Sequence, residues 1–110
     1  MRLVRPLPAL VVALLLLPTG ATPAQAAGAT HRVAIEGMKF VPERIEVAAG
    51  DTVVWTNKDF LPHSVTAAAA KVESGDLAEG KSFKLVAKTK GEMPYICRLH
   101  PVMRGTVIVK

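Results

Sequence analysis

A turn signal falls about every ten residues along most of this chain, and the runs between signals are short enough for strands and too short for packed helices. Apolar residues alternate at Val33 and Ile35, at Ile45 and Val47, and at Phe83 and Leu85, which is the period-two pattern of half-buried strands. Asp51 to Thr56 and Gly105 to Lys110 are rich in β-branched residues, and Pro94 to Cys97 is a short apolar run, so each is a strand candidate. The interruptions are Val41-Pro42-Glu43, Ala49-Gly50-Asp51, Asn57-Lys58-Asp59, Ser74-Gly75-Asp76, Glu79-Gly80-Lys81 and Lys90-Gly91-Glu92. This spacing predicts an antiparallel β-sandwich. Ala67 to Val72 is helix-friendly but carries no apolar stripe, and it reads as loop or at most one helical turn. Trp55 is assigned to the core between the sheets.

The N-terminus follows a different logic. A basic start, Met1 to Arg5, precedes an apolar run from Leu7 to Leu17 and then small residues ending in Ala24-Gln25-Ala26, the order of a secretory signal peptide. Residues 1–26 are expected to be cleaved, 27–30 to form a flexible start, and 31–110 to form one domain. The apolar run is shorter than the roughly 20 residues of a membrane span, and no Cys follows it for lipidation, so no membrane anchor is expected after cleavage. Removal of Arg2 and Arg5 lowers the net charge from +5 to +3. The remaining Lys and Arg are scattered, which argues against a nucleic-acid partner. A periplasmic or otherwise exported protein, monomeric, is the expectation.

Outside the cytoplasm a domain this small is usually stapled by disulfides, yet the chain has a single cysteine, Cys97. A lone thiol in an oxidising compartment is a liability unless something occupies it. Cys97 is followed by His100 and Met103, at i+3 and i+6, in a loop directly after one strand candidate and directly before another. His63 lies far upstream, just after the Trp55 strand, where a sandwich can bring two strand ends to one rim. Each residue has an ordinary alternative: Cys97 as a small buried hydrophobe, His100 at the surface, Met103 filling the core. What those alternatives leave unexplained is the joint spacing. Two imidazoles and a thiolate with a weak thioether suit both Cu(I) and Cu(II), whereas zinc prefers a tetrahedral set without methionine. His31 is read as solvated, and Met38 and Met93 as packing residues.

With these residues in view, the sequence resembles the plastocyanin, pseudoazurin and amicyanin family of cupredoxins, amicyanin most closely. The resemblance runs through Met38 to Glu43, Val47 to Asn57, Pro62 to Val65 and Tyr95 to Gly105. It implies a Greek-key β-sandwich, one type 1 (blue) copper ion held by His63, Cys97, His100 and Met103, and Nδ1 coordination by each histidine. It also implies an apolar electron port around His100, with Leu61, Pro62, Leu99, Pro101 and Val102 at the rim and Arg98 and Arg104 nearby as steering charges. The family usually carries Asn where Ser64 stands and Thr where Arg98 stands, a pair whose side chains tie the two ligand loops together. Ser64 is left to act through its backbone N–H toward the Cys97 sulfur.

The function so implied is single-electron transport between transient redox protein partners. A copper carrier or storage protein would use the same ligands without redox turnover. A self-contained copper enzyme needs a second metal centre or a substrate pocket, and with three His in the chain, two of them already assigned, no enzyme is expected.

Overall fold

The computed structural model describes residues 2–6, 8–13 and 28–110; the cleavage expected after Ala26 lies outside them. Among the described residues no helix is long and apolar enough to cross a membrane. The described residues form nine strands: β1 (Thr30–Ile35), β2 (Phe40–Val41), β3 (Arg44–Val47), β4 (Thr52–Asn57), β5 (Thr66–Ala67), β6 (Val72–Glu73), β7 (Ser82–Val86), β8 (Gly91–Ile96) and β9 (Arg104–Val109). They assemble into two sheets, in the orders β2-β1-β4-β7 and β3-β9-β8-β5-β6.

Every strand candidate of the sequence overlaps a strand, with Asp51, Cys97 and Lys110 falling just outside one, and the helix-friendly stretch yields one 3₁₀ turn, Ala68–Ala70, between β5 and β6. The sandwich is not wholly antiparallel, however. β1 runs parallel to β4, with Thr30 opposite Thr52 and Ile35 opposite Asn57, and β3 runs parallel to β9. Alternation reports which face of a strand is buried and carries no information about the direction of its neighbour, so the parallel pairs were invisible to it.

Between the sheets the inward residues interlock. Val33, Ile35, Val53, Trp55, Val65, Tyr95 and Val107 are buried, with Ile45, Phe83, Leu85 and Met93 packed against them. The Trp55 and Tyr95 rings meet edge to face at 5.3 Å, and Phe40 meets Tyr95 the same way at 4.7 Å, arrangements that aromatic quadrupoles favour. Met38 does not pack as the sequence suggested: it is 39% exposed, because Gly37 and Met38 both take positive φ and turn the side chain outward. Gly105 sits beneath Tyr95, and a Cβ at this position would overlap the phenol ring and hydroxyl.

Where β1 and β4 begin, the N-terminal segment is already pinned. Asp51 accepts from the N–H groups of Ala29 and Ala48, each at 2.9 Å, and pairs with Nε2 of His31 at 2.9 Å, so His31 is not simply solvated. The hydrogen bond with His31, then that from Ala48, hold the Asp51 carboxyl below its ordinary 3.8 against the opposing effect of burial.

Two outcomes follow. Gly105→Ala should lower stability by about 1–3 kcal/mol through overpacking against Tyr95, read as a fall in Tm. A depressed folded pKa contributes stability that is complete above the unfolded value and lost as pH falls through the folded one. The acid limb of a Tm-against-pH curve should therefore be flatter in Asp51→Asn than in the wild type; an unchanged slope would show that Asp51 does not contribute.

Candidate metal centre

Beyond β4 the chain crosses from the first sheet to the second, and buried Asn57 shapes that crossing. Its Nδ2 donates to the carbonyls of Leu61 at 2.9 Å and Leu77 at 2.8 Å, and its Oδ1 accepts from the Asp59 N–H at 2.9 Å. A side-chain amide thus supplies the partners that a loop backbone lacks. His63 then pairs with Leu77 in an isolated antiparallel bridge, each N–H donating to the other's carbonyl, at 3.1 and 2.7 Å.

The His63 ring is fully buried, and its Nε2 lies 2.9 Å from Oδ2 of Asp59. That carboxylate is cradled by the N–H groups of Gly37 at 2.7 Å and Met38 at 2.9 Å. Burial pushes the Asp59 carboxyl up, but the Met38 and Gly37 donors and His63 more than offset it and hold the group below its ordinary 3.8. An ionised carboxylate only accepts, so a neutral His63 keeps its proton on Nε2 and offers a lone pair at Nδ1. This lone pair faces Sγ of Cys97 at 3.7 Å.

Cys97, His100 and Met103 are gathered by the hairpin between β8 and β9, which stay paired up to Ile96 and Arg104. Met103 N–H donates to His100 O at 2.9 Å, His100 N–H donates to Cys97 O at 3.2 Å, and Cys97 N–H donates to Met103 O at 3.1 Å. These bonds close the loop on itself and hold the backbone of Cys97, His100 and Met103 together. Cys97 and Met103 are buried, while His100 is half-buried, its ring centroid 5.2 Å from that of His63.

Two bonds of about 2.0–2.3 Å meeting at roughly 110–120° place their donor atoms about 3.6–3.8 Å apart, so the His63–Cys97 spacing fits a shared ion. Counting only His, Cys, Asp and Glu, the described residues hold no group of three or more gathered as a ready cage. His63, Cys97 and His100 thus do not close into a three-donor cage here: the close pair is His63 Nδ1 and Cys97 Sγ, with the His100 ring standing beside that of His63.

Ser64 donates its N–H to Cys97 Sγ at 3.3 Å, and its Oγ accepts from the Arg98 N–H at 2.8 Å. Leu61, Pro62, Leu99, Pro101 and Val102 are exposed on the loops that carry the histidines, joined by Phe60 at 87% exposure. Arg98 is not a free steering charge: its guanidinium is paired with Glu73 and Asp76. Sequence reasoning missed Asp59, Asn57 and Phe60. An aromatic residue between Asp59 and Leu61 in a turn was the one available sign of an exposed apolar tip.

The sequence matches the cupredoxin-like domain family over residues 7–109. The chain belongs to the cupredoxin-like family. Among its relatives it is similar to amicyanin-alpha of Methylorubrum extorquens, 33% identical over 93% of this chain and 98% of the relative. Amicyanin of Paracoccus versutus is 32% identical over 71% of this chain and 63% of its own length. Chloroplastic plastocyanin of Fritillaria agrestis is 35% identical over 73% and 61%. Among solved structures, the Cu(I) form of an amicyanin variant superposes with a TM-score of 0.71 at 30% identity, covering 79% of this chain and 88% of that one. A copper-containing nitrite reductase from Thermus scotoductus, 24% identical with a TM-score of 0.69, shares the cupredoxin fold over 22% of its length.

In the metal-free cupredoxin the Cys97 thiol, with no exposed surface, should react with an aromatic disulfide reagent at least about a hundredfold more slowly than in guanidinium-unfolded protein. Equal rates would mean that the loop does not enclose the sulfur.

Proposed function

We propose that this cupredoxin is a type 1 copper protein that passes single electrons between transient redox partners outside the cytoplasm, with His63, Cys97, His100 and Met103 as ligands. The observation that carries the reading is the His63 Nδ1 to Cys97 Sγ spacing of 3.7 Å, with the Ser64 N–H also directed at the sulfur. Its membership of the cupredoxin-like family and its likeness to a Cu(I) amicyanin support copper as the ion. Bound copper supplies a one-electron couple, and a set of two imidazoles, a thiolate and a weak thioether suits both of its oxidation states.

The residues divide the remaining work. Asp59 orients His63 and fixes its proton on Nε2, leaving Nδ1 for the ion. Ser64 donates to the sulfur, which draws electron density from it and favours the reduced state. Burial of His63, Cys97 and Met103 keeps water from that side. His100, half-buried among Leu61, Pro62, Leu99, Pro101 and Val102, is the ligand that reaches the surface and forms the port for electrons. An exposed apolar patch around it suits a small interface that forms and parts quickly. The protein works as a monomer with no further catalytic centre.

The enclosure of the ligands favours electron carriage over copper delivery, since a carrier must surrender its ion readily. The oxidised copper-loaded protein should be intensely blue, should bleach on reduction, and should hold its copper through repeated cycles. Cys97→Ser should abolish the colour entirely. A colourless loaded protein under oxidant, or a blue Cys97→Ser variant, would overturn the reading; fast copper transfer to a chelator would favour carriage.

A further inference from the structure

We propose that Arg98 is a positioning residue: with Ser64, Thr66 and Glu73 it closes a ring of hydrogen bonds that locks the His63 loop to the Cys97 loop. The inference rests on the ligand assignment above for its consequence, though not for its geometry. Arg98 N–H donates to Ser64 Oγ at 2.8 Å, Ser64 Oγ lies 2.9 Å from Thr66 Oγ1, Thr66 Oγ1 donates to Glu73 Oε1 at 3.1 Å, and Arg98 Nε donates to the same Oε1 at 3.0 Å. The circuit begins and ends on one residue.

Its proton directions are determined. A carboxylate accepts only, so the Thr66 hydroxyl proton is committed to Glu73, and the Ser64 hydroxyl must donate to Thr66 while accepting from Arg98. Two arms thus leave Arg98 and converge on the carboxylate: one runs from its N–H through Ser64 and Thr66, aligned donor to acceptor so that its bonds strengthen one another, and the other is the direct bond from Nε. The Arg98 and Gly75 donors hold the Glu73 carboxyl below its ordinary 4.5, so the acceptor stays charged at neutral pH.

A second strut extends the lock. Arg98 Nη2 donates to Asp76 Oδ1 at 2.7 Å, and Asp76 precedes Leu77, the residue bridged to His63. The planar guanidinium therefore spans from the residue after Cys97 to the segment that holds His63. Lysine, a single point charge, cannot reproduce the fork. Because both ion pairs are partly exposed, their strength is modest and depends on salt.

Amide hydrogen exchange on the metal-free protein tests the lock without copper. In Arg98→Gln the N–H groups of residues 64, 77 and 98 should exchange about three- to tenfold faster at low salt, with Val107 unchanged. Glu73→Gln with Asp76→Asn should reproduce the effect, adding Arg98→Gln to it should add little, and Arg98→Lys should recover it in part. On the loaded protein, Arg98→Gln should speed copper release to a chelator by a similar factor, and high salt should narrow the gap. Exchange in Arg98→Gln that matches the wild type at these three amides, or additive effects in the combined variant, would overturn the proposal. If exchange responds as expected but the wild type takes up no copper, the lock stands and the copper reading fails.

Discussion

The bridge between His63 and Leu77 is the contact on which the rest of the site depends. His63 lies on the crossing from β4 to β5, and Leu77 on the crossing from β6 to β7, so both belong to segments that pass between the two sheets at one end of the sandwich. Pairing the crossings to each other fixes their height above the core. From there Asn57 ties both to the end of β4, and Asp59 sets the rotation of the His63 ring. The sulfur arrives from the opposite direction, at the end of β8, and needs no adjustment of its own because the β8–β9 pairing has already placed it.

Strand positions and the tight loop from Cys97 to Met103 were legible because each depends on local pattern. Val33, Ile35, Val47 and Val107 are buried at alternate positions, as period two requires. The spacing of Cys97, His100 and Met103 carries meaning only inside a tight hairpin end, and the flanking runs announced that hairpin. His63 was reached from its place just after the Trp55 strand, where a sandwich can bring two strand ends to one rim, and the resemblance added to that, since nothing within its own neighbourhood points to a residue 34 positions away.

What stayed hidden depends on tertiary placement of polar groups. Asp59 looked like part of a turn, and its contacts with Gly37 and Met38 join segments more than twenty residues apart. Arg98 looked like surface charge because its partners, Glu73 and Asp76, are brought to it by β5 and β6, two strands of two residues each that no alternation could reveal. Ser64 in place of Asn seemed to weaken the link between loops. A shorter side chain instead accepts directly from backbone, and the reach it lacks is supplied by arginine from the other side.

The parallel pairing of β3 with β9 has a consequence for the newborn chain. β3 and β9 are separated by most of the domain, so β3 must wait unpaired along that edge until residues 104–109 have been made. The hairpin that holds the Cys97 sulfur closes with the same late strand. Pairing across so long an intervening segment is slow, and the open edge of β3 persists meanwhile as a place where another chain could pair.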